Sequence, residues 1–287
     1  MMSQTITPIP EATEGASSNV RWKVMSLCLL VSMVTYLDRV NISIAARYII
    51  SENGLSNVQM GEIFSAFTLS YAIFQVPGGW LADRFGSRLV LTVAVLWWSA
   101  FTALTALTRE IIPASLMSAL AALLLVRFCL GAGEAAAWPT FNRTIANWIP
   151  IKDRALASSI PLAGGGAGAA IAPPFIAWLM LTYGWRESFY VCAAIGAVCA
   201  LAWFWYMRDD PADHKDVNAA ELRKIQSDSS KVRQAELQTG SAAPWRAIFS
   251  ARNVWLLAFS SMSCGYLIYI YLSWFYVYLT EVRGMTL

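Results

Sequence analysis

Gly79-Trp80-Leu81-Ala82-Asp83-Arg84-Phe85-Gly86-Ser87-Arg88 joins two apolar runs, at about 60–82 and 88–107. Each run can cross a bilayer core of ~30 Å as an α-helix, which takes ~20 residues at 1.5 Å per residue. The segment between them reads as a tight turn. Glycines at its two ends allow a sharp reversal and close helix approach, Asp83 can cap a helix N-terminus, and Arg84 and Arg88 favour the cytoplasmic side. Working outward, apolar runs at about 22–47, 114–138, 156–182, 187–207 and 253–280 bring the expectation to seven spans. Their flanks carry Trp22, Trp80, Trp178, Trp185 and Tyr206, the amphipathic rings that settle in the headgroup layer.

Composition agrees with an all-α integral membrane protein. Of 287 residues, 57% are hydrophobic and only 14% charged, against about 25% charged in soluble domains. The deficit is uneven, because residues 208–250 hold 14 of the 39 Asp, Glu, Lys and Arg residues and the rest of the chain is charged at only about one position in ten. A soluble enzyme is thereby excluded. So is a nucleic-acid binder, since the net charge is only +3 and the basic residues are scattered. Cys28, Cys129, Cys192, Cys199 and Cys264 all fall in apolar runs without metal-ligand spacing, and neither a metal nor a cofactor is expected.

Counting basic residues by loop sets the orientation. With the N-terminus in the cytoplasm, 15 of the 21 lie inside, four (Arg47, Arg109, Arg186, Arg283) lie outside, and Arg39 and Arg127 fall within spans. Residues 1–20 are polar and read as a disordered cytoplasmic tail, 21–207 as a six-helix domain, 208–250 as a solvated linker that is part helical at 218–237, and 251–287 as the start of a second domain. The segment Trp245–Arg252 is amphipathic and reads as a short interfacial helix.

A charged side chain at the bilayer centre costs at least ~2.5–3.5 kcal/mol. Four such residues stand out: Asp38 and Arg39 in helix 1, within Tyr36-Leu-Asp-Arg-Val-Asn-Ile-Ser43, and Arg127 and Glu134 in helix 4. Arg127 and Glu134 are seven residues apart and share one helical face, ~10 Å apart along the axis; Tyr36 and Arg39 share another. One reading is a set of structural ion pairs locking helix 1 to helix 4. The other is an anion site under proton control. Ionised acids neutralise the arginines, and protonated acids release them as planar forks suited to a carboxylate.

The Gly79–Arg88 turn resembles the signature loop of the major facilitator superfamily. Arg127 to Ala135 resembles that superfamily's helix 4 motif, and Gly164-Gly-Gly-Ala-Gly-Ala-Ala-Ile-Ala-Pro173-Pro174 is similar to its glycine-rich helix 5. The finer resemblance is to the anion:cation symporters, carried by Tyr36–Asn41, Tyr71, Arg127 with Glu134, Gly184-Trp-Arg-Glu-Ser-Phe189 and Glu281-Val-Arg-Gly284. It implies a major facilitator fold with a six-helix N-terminal half and the first helix of a C-terminal half. It implies proton coupling at Asp38 and Glu134, an anion site at Tyr36, Arg39, Tyr71 and Arg127, and a conformational role for Gly79, Asp83, Arg84, Gly86 and Arg88. The helix 5 run offers no polar side chain, so a hydrogen bond that helix 5 supplies in some relatives is missing. Small residues there also serve simply to pack helices closely. On helix 7, Tyr266, Tyr269, Tyr271, Trp274 and Tyr276 form an aromatic stripe, read either as including a substrate contact or as interfacial-belt and packing residues.

The resemblance thus implies proton-coupled uptake of a carboxylate-bearing organic anion such as a hexuronate, aldonate or aldarate, in a monomer of the bacterial inner membrane. Its partners are the anion, the proton and the bilayer. The alternatives are another anion (an aromatic acid or phosphate) or, for a truncated chain, a membrane protein that does not transport. A retinal-type pump is disfavoured, because Lys23, Lys152, Lys215, Lys224 and Lys231 all lie in loops or at the flanks of spans, and a seven-helix receptor conflicts with the inside N-terminus. The chain is expected to be the N-terminal piece of a carrier of about twelve helices.

Overall fold

The computed structural model of the protein describes residues 17–111, 117–226 and 245–285. The described residues form helices and connecting turns, with no strand. In chain order the helices are α1 (Val20–Asn53), α2 (Asn57–Phe85), α3 (Ser87–Ile111), α4 (Ala119–Glu134), α5 (Ala137–Trp148), α6 (Arg154–Tyr183), α7 (Trp185–Tyr206), α8 (219–226), α9 (Trp245–Ser250) and α10 (Arg252–Val277). Six stretches are long and apolar enough to cross a membrane: α1, α3, α4 with α5, α6, α7 and α10. The remaining expected span, α2, has 29 residues. Its sequence is more polar, with Gln59, Glu62, Ser65, Thr68, Ser70 and Gln75 on the way to the glycine pair.

Helix 4 runs further than its apolar run suggests. It starts at Ala119 and continues as α5 to Trp148 rather than stopping near residue 138. The interruption at Ala135 and Ala136 has a local cause: Pro139 has no N–H to give the carbonyl of Ala135, so the regular ladder lapses for one turn. Of the expected tail, residues 1–16 lie outside the described residues, as does 227–237 of the expected linker helix. A short helix, α9, occupies the segment expected to lie at the interface.

The helices pack in three intimate pairs, α1 with α6, α2 with α4 and α3 with α7. The glycines explain the first. A side-chain carbon added at Gly165 would lie 2.6 Å from the Tyr36 ring, and one at Gly168 would lie 2.7 Å from the Met33 carbonyl, so only glycine permits this approach. Gly131 does the same for α4 against Phe67 and Ser70 of α2.

The apolar core divides into two clusters along the bundle axis. One holds Val20–Val31 of α1 with Trp98, Trp148 and Trp203; the other holds Leu37–Ile49 of α1 with Met60, Ile63 and Phe189. Between them lies a layer of buried polar groups: Thr35, Asp38, Asn41, Ser70, Thr102, Arg127, Glu134 and Ser188. Polar groups cost free energy in such a place unless partnered or used.

The start of the expected linker folds back onto one end of the bundle. Helix α1 has no side-chain cap of its own, since Asn19 is left-handed with φ 58°. Glu221 of α8 takes that role, accepting from Val20 N at 2.9 Å and Arg21 N at 3.1 Å and pairing with the Ser18 hydroxyl. A carboxylate at the positive end of a helix dipole satisfies amides that would otherwise be orphaned. His214 is buried edge-on between Trp148 and Tyr206, at ring distances of 5.6 and 4.9 Å.

Candidate functional site

All four intramembrane charges meet in the polar layer, but they pair across helices. Arg39 of α1 donates to Glu134 of α4, with Nη2 at 2.5 Å and Nε at 2.7 Å from the same oxygen, Oε1. The second oxygen, Oε2, has no hydrogen-bond partner. Arg127, expected to share a path with Glu134 along α4, leaves its Nε and Nη1 unpartnered and lies 4.9 Å over the Phe67 ring. Both carboxylate oxygens of Asp38 are buried with no ionic partner at hydrogen-bond distance, and the Thr102 hydroxyl lies beside them. Asp38 lies within electrostatic reach of Arg127, Glu134 and Arg39. Two acids therefore balance two bases, and only one of the four possible pairings is closed by hydrogen bonds.

Aromatic rings build the walls. The Arg39 guanidinium lies 4.8 Å from the Tyr71 ring, 5.3 Å from Tyr36, 5.4 Å from Phe67 and 5.9 Å from Tyr269. Its Nη1 also donates to the Tyr269 hydroxyl at 3.4 Å. Four π faces around one cation hold it electrostatically without neutralising it. Phe67 stacks on Tyr71 one helical turn away, at 5.9 Å, and both guanidiniums lie over its ring. The cavity beside Arg39, Arg127, Thr68 and Tyr269 is about 20 Å³, enough for about one water molecule. An organic anion does not fit in this closed arrangement. A groove of about 470 Å³ between α2 and α10 adjoins it, sharing Thr68, Tyr269 and Ser273.

Behind Asp38, on the next turn of α1, the Ser188 hydroxyl donates to Asn41 Oδ1 at 2.8 Å and Asn41 Nδ2 contacts Cys192 Sγ at 3.6 Å. These contacts tie α7 to α1 beside the Asp38 carboxylate. Helix α10 docks further along: Ser43 Oγ donates to the Ser273 carbonyl at 2.7 Å, and Trp274 packs edge-on against Phe64 at 5.4 Å.

The α2–α3 turn lies at the other end of the bundle from Ser43. Gly86 is left-handed, φ 87°, and a side-chain carbon there would lie 2.5 Å from Asp209 Oδ2. Asp209, just beyond α7, caps α3 through Arg88 N at 3.0 Å. That role, open to Asp83 from sequence, passes to Asp209 because Asp83 is still within α2 and pairs instead with Arg143 at 3.0 Å. Arg88 Nε donates to the Phe204 carbonyl at 2.8 Å. Arg84 is exposed and stacks on Trp80 and Phe85. Gly79 faces Pro139 of α5, 3.4 Å from an added side-chain carbon.

Comparison with known proteins decides the family. The profile of the Major Facilitator Superfamily matches residues 28–287. The chain belongs to the major facilitator superfamily. It is 37% identical over 267 residues to a probable sulfoacetate transporter of Cupriavidus necator, covering 93% of this chain and 59% of that protein. It is 33% identical over 281 residues to a probable galactarate/D-glucarate transporter of Bacillus subtilis, covering 95% and 60%. The fold matches a bacterial homologue of the human lysosomal transporter Spinster in an inward-facing, unoccupied conformation, with a TM-score of 0.70 at 23% identity over 94% of this chain and 58% of that one. The chain thus spans about three fifths of the length of the curated relatives it matches.

Within this major facilitator chain the structure brings Tyr36, Asp38, Arg39, Tyr71, Arg127 and Glu134 into one cluster and leaves Gly79, Asp83, Arg84, Gly86 and Arg88 at the α2–α3 turn. Two contributors were not singled out from sequence. Phe67 carried a usable signal, four residues before Tyr71 on the same face. The Asn41–Ser188–Cys192 contacts had none, because they depend on how α7 meets α1. Of the helix 7 stripe, Tyr269 is the ring that reaches Arg39.

Proposed function

We propose that this chain forms the N-terminal part of a proton-coupled importer of organic anions. The observation that carries this reading is the closed Arg39–Glu134 pair beside a second guanidinium, Arg127, that has no ionic partner at hydrogen-bond distance, all in a bilayer-depth polar layer walled by aromatics. With Glu134 ionised, Arg39 is occupied. Protonation of Glu134 opens the pair, and both arginines then face the cavity as donors for a carboxylate or sulfonate. Tyr36, Tyr71 and Tyr269 flank the bound anion.

Charge balance links substrate to proton. Asp38, Glu134, Arg39 and Arg127 sum to zero when ionised. Adding an anion alone leaves an uncompensated negative charge at bilayer depth, whereas one proton per substrate charge restores neutrality. Two carboxylates allow two protons, which suits a two-headed acid. The relatives support this size of charge: sulfoacetate carries a sulfonate and a carboxylate, and galactarate and glucarate carry two carboxylates. The basic-residue count supports a cytoplasmic N-terminus in a bacterial inner membrane, and the inward-facing structural neighbour fits a cycle that opens to the cytoplasm.

Uptake of labelled sulfoacetate, galactarate and a hexuronate into proteoliposomes containing the intact carrier tests the proposal. Accumulation driven by an inward proton gradient, and abolished by a protonophore, is expected. Accumulation indifferent to the gradient but driven by Na⁺ would transfer the coupling role to another ion.

A further inference from the structure

A second concavity lies on the outer surface of the bundle, away from the charge cluster. It is a groove of about 470 Å³ between α2, α3 and α4, walled by Phe74, Phe85 and Trp97 and floored by Gly78, Gly133 and Ala136. The small residues hollow it out, because they let α4 approach both neighbours closely: Ala136 packs against Gly78, and the Trp97 ring packs against Gly133 with its Nε1 donating to the Cys129 carbonyl at 2.8 Å. The walls and floor are almost wholly apolar, so the groove offers nothing to the anionic substrate.

Its dimensions and its mouth point to a lipid. From Phe74 to Phe85 the groove follows twelve residues of α2, ~16 Å at the helical rise, close to the ~15 Å that one leaflet contributes to the hydrocarbon core. At the turn end, Arg84 stacks over Phe85, a wall residue, at 5.6 Å and makes no ion pair among the described residues. Arg88 and Arg143, by contrast, are engaged, with the Phe204 carbonyl and Asp83 respectively. One cation therefore stands free where an acyl-chain-length apolar slot meets the headgroup layer.

We propose that this groove is a binding site for an anionic phospholipid, with one acyl chain along α2 and α3 and the phosphate at Arg84. In the orientation proposed above the lipid comes from the cytoplasmic leaflet. The site is distinct from the Arg39–Arg127 cluster and stands whether or not that cluster transports anions.

Native mass spectrometry of the intact carrier, titrated separately with phosphatidylglycerol and phosphatidylethanolamine of identical chains, tests it. A basic side chain near the membrane surface is worth ~1 kcal/mol toward anionic lipid, so phosphatidylglycerol should bind about fivefold more tightly. Arg84→Ala should bring the two lipids to parity while adducts persist. Val93→Trp and, independently, Leu89→Trp place a large ring in the groove from exposed positions, and each should remove the adducts of both lipids while thermal melting stays unchanged. Equal affinity of the wild-type protein for the two lipids overturns the proposal. So do adducts that survive both tryptophan substitutions, or a helix of the carrier itself found in the groove.

Discussion

Replacing Glu134 by glutamine keeps the shape of the Arg39 pair and removes its charge. In the wild type an arriving anion competes with Glu134 for Arg39, which holds that carboxylate through two donors at 2.5 and 2.7 Å. A hydrogen bond to a charged group contributes about 1.5–3 kcal/mol. Glutamine keeps an acceptor oxygen but loses the ionic part, so most of that competition disappears. Substrate affinity at alkaline pH should therefore rise by about 10- to 100-fold in Glu134→Gln, taking 1.4 kcal/mol per factor of ten. The gain should shrink as the pH falls, since acid protonates the wild-type carboxylate and makes it resemble the variant. The sign is set by the pair itself: in the wild type, binding strengthens as pH falls, and in the variant this dependence is largely absent for a monoanion and reduced by one proton for a dianion. The variant should also exchange a monoanion across proteoliposome membranes yet fail to accumulate it against a gradient. Isothermal titration across pH, with counterflow and gradient-driven uptake on the same preparation, reads all three. Weaker binding at alkaline pH, or a pH dependence equal to that of the wild type, would refute the proposed competition.

Other outcomes follow from the same geometry. Asp38→Asn should leave uptake of a monoanion coupled to protons while reducing the protons carried with a dianion, as measured by pH-indicator flux. Arg127→Lys exchanges a planar fork for a point charge and should weaken substrate binding by about 1.5–3 kcal/mol without lowering the melting temperature, because Arg127 holds no structural hydrogen bond through Nε or Nη1. Gly131→Ala places a methyl 2.4 Å from the Phe67 carbonyl and should destabilise the α2–α4 contact by about 1–3 kcal/mol, seen as a lower melting temperature in detergent. Asp209→Ala removes the cap of α3 and should cost about 0.5–2 kcal/mol in the same assay, with substrate affinity unchanged.

Reading the sequence alone located the four charges because each breaks a strong rule: an ion at bilayer depth needs a reason, and few residues break it. It did not reveal the pairing. The two charges on helix 4 share a face, yet Glu134 turns to Arg39 across the α1–α4 contact, a choice set by how the helices approach and not by spacing along either. Tyr269 was one of five candidates on helix 7 until the docking of Ser43 on the Ser273 carbonyl fixed the rotation of α10. The glycine run of helix 5 read equally as a packing device, and α6 uses it that way, seating Tyr36 against Gly165. The extent of helix 4 is not legible in the apolar pattern, because polarity rises after residue 138 while helical structure, resuming at Ala137, runs on to Trp148. The folded start of the linker was hidden by its composition. Glu221 and His214 look solvated in a charged stretch, and only the orphaned amides of α1 and the rings of Trp148 and Tyr206 give them a buried place.

On the proposed charge balance, each negative charge of the substrate enters this cluster with a proton. Adding substrate to the purified intact carrier in weakly buffered solution, with a pH indicator present, measures it directly. A dianion should draw about two protons from solution per molecule bound and a monoanion about one, with the uptake reduced by one in Glu134→Gln. Substrate binding that leaves the solution pH unchanged would contradict the claim.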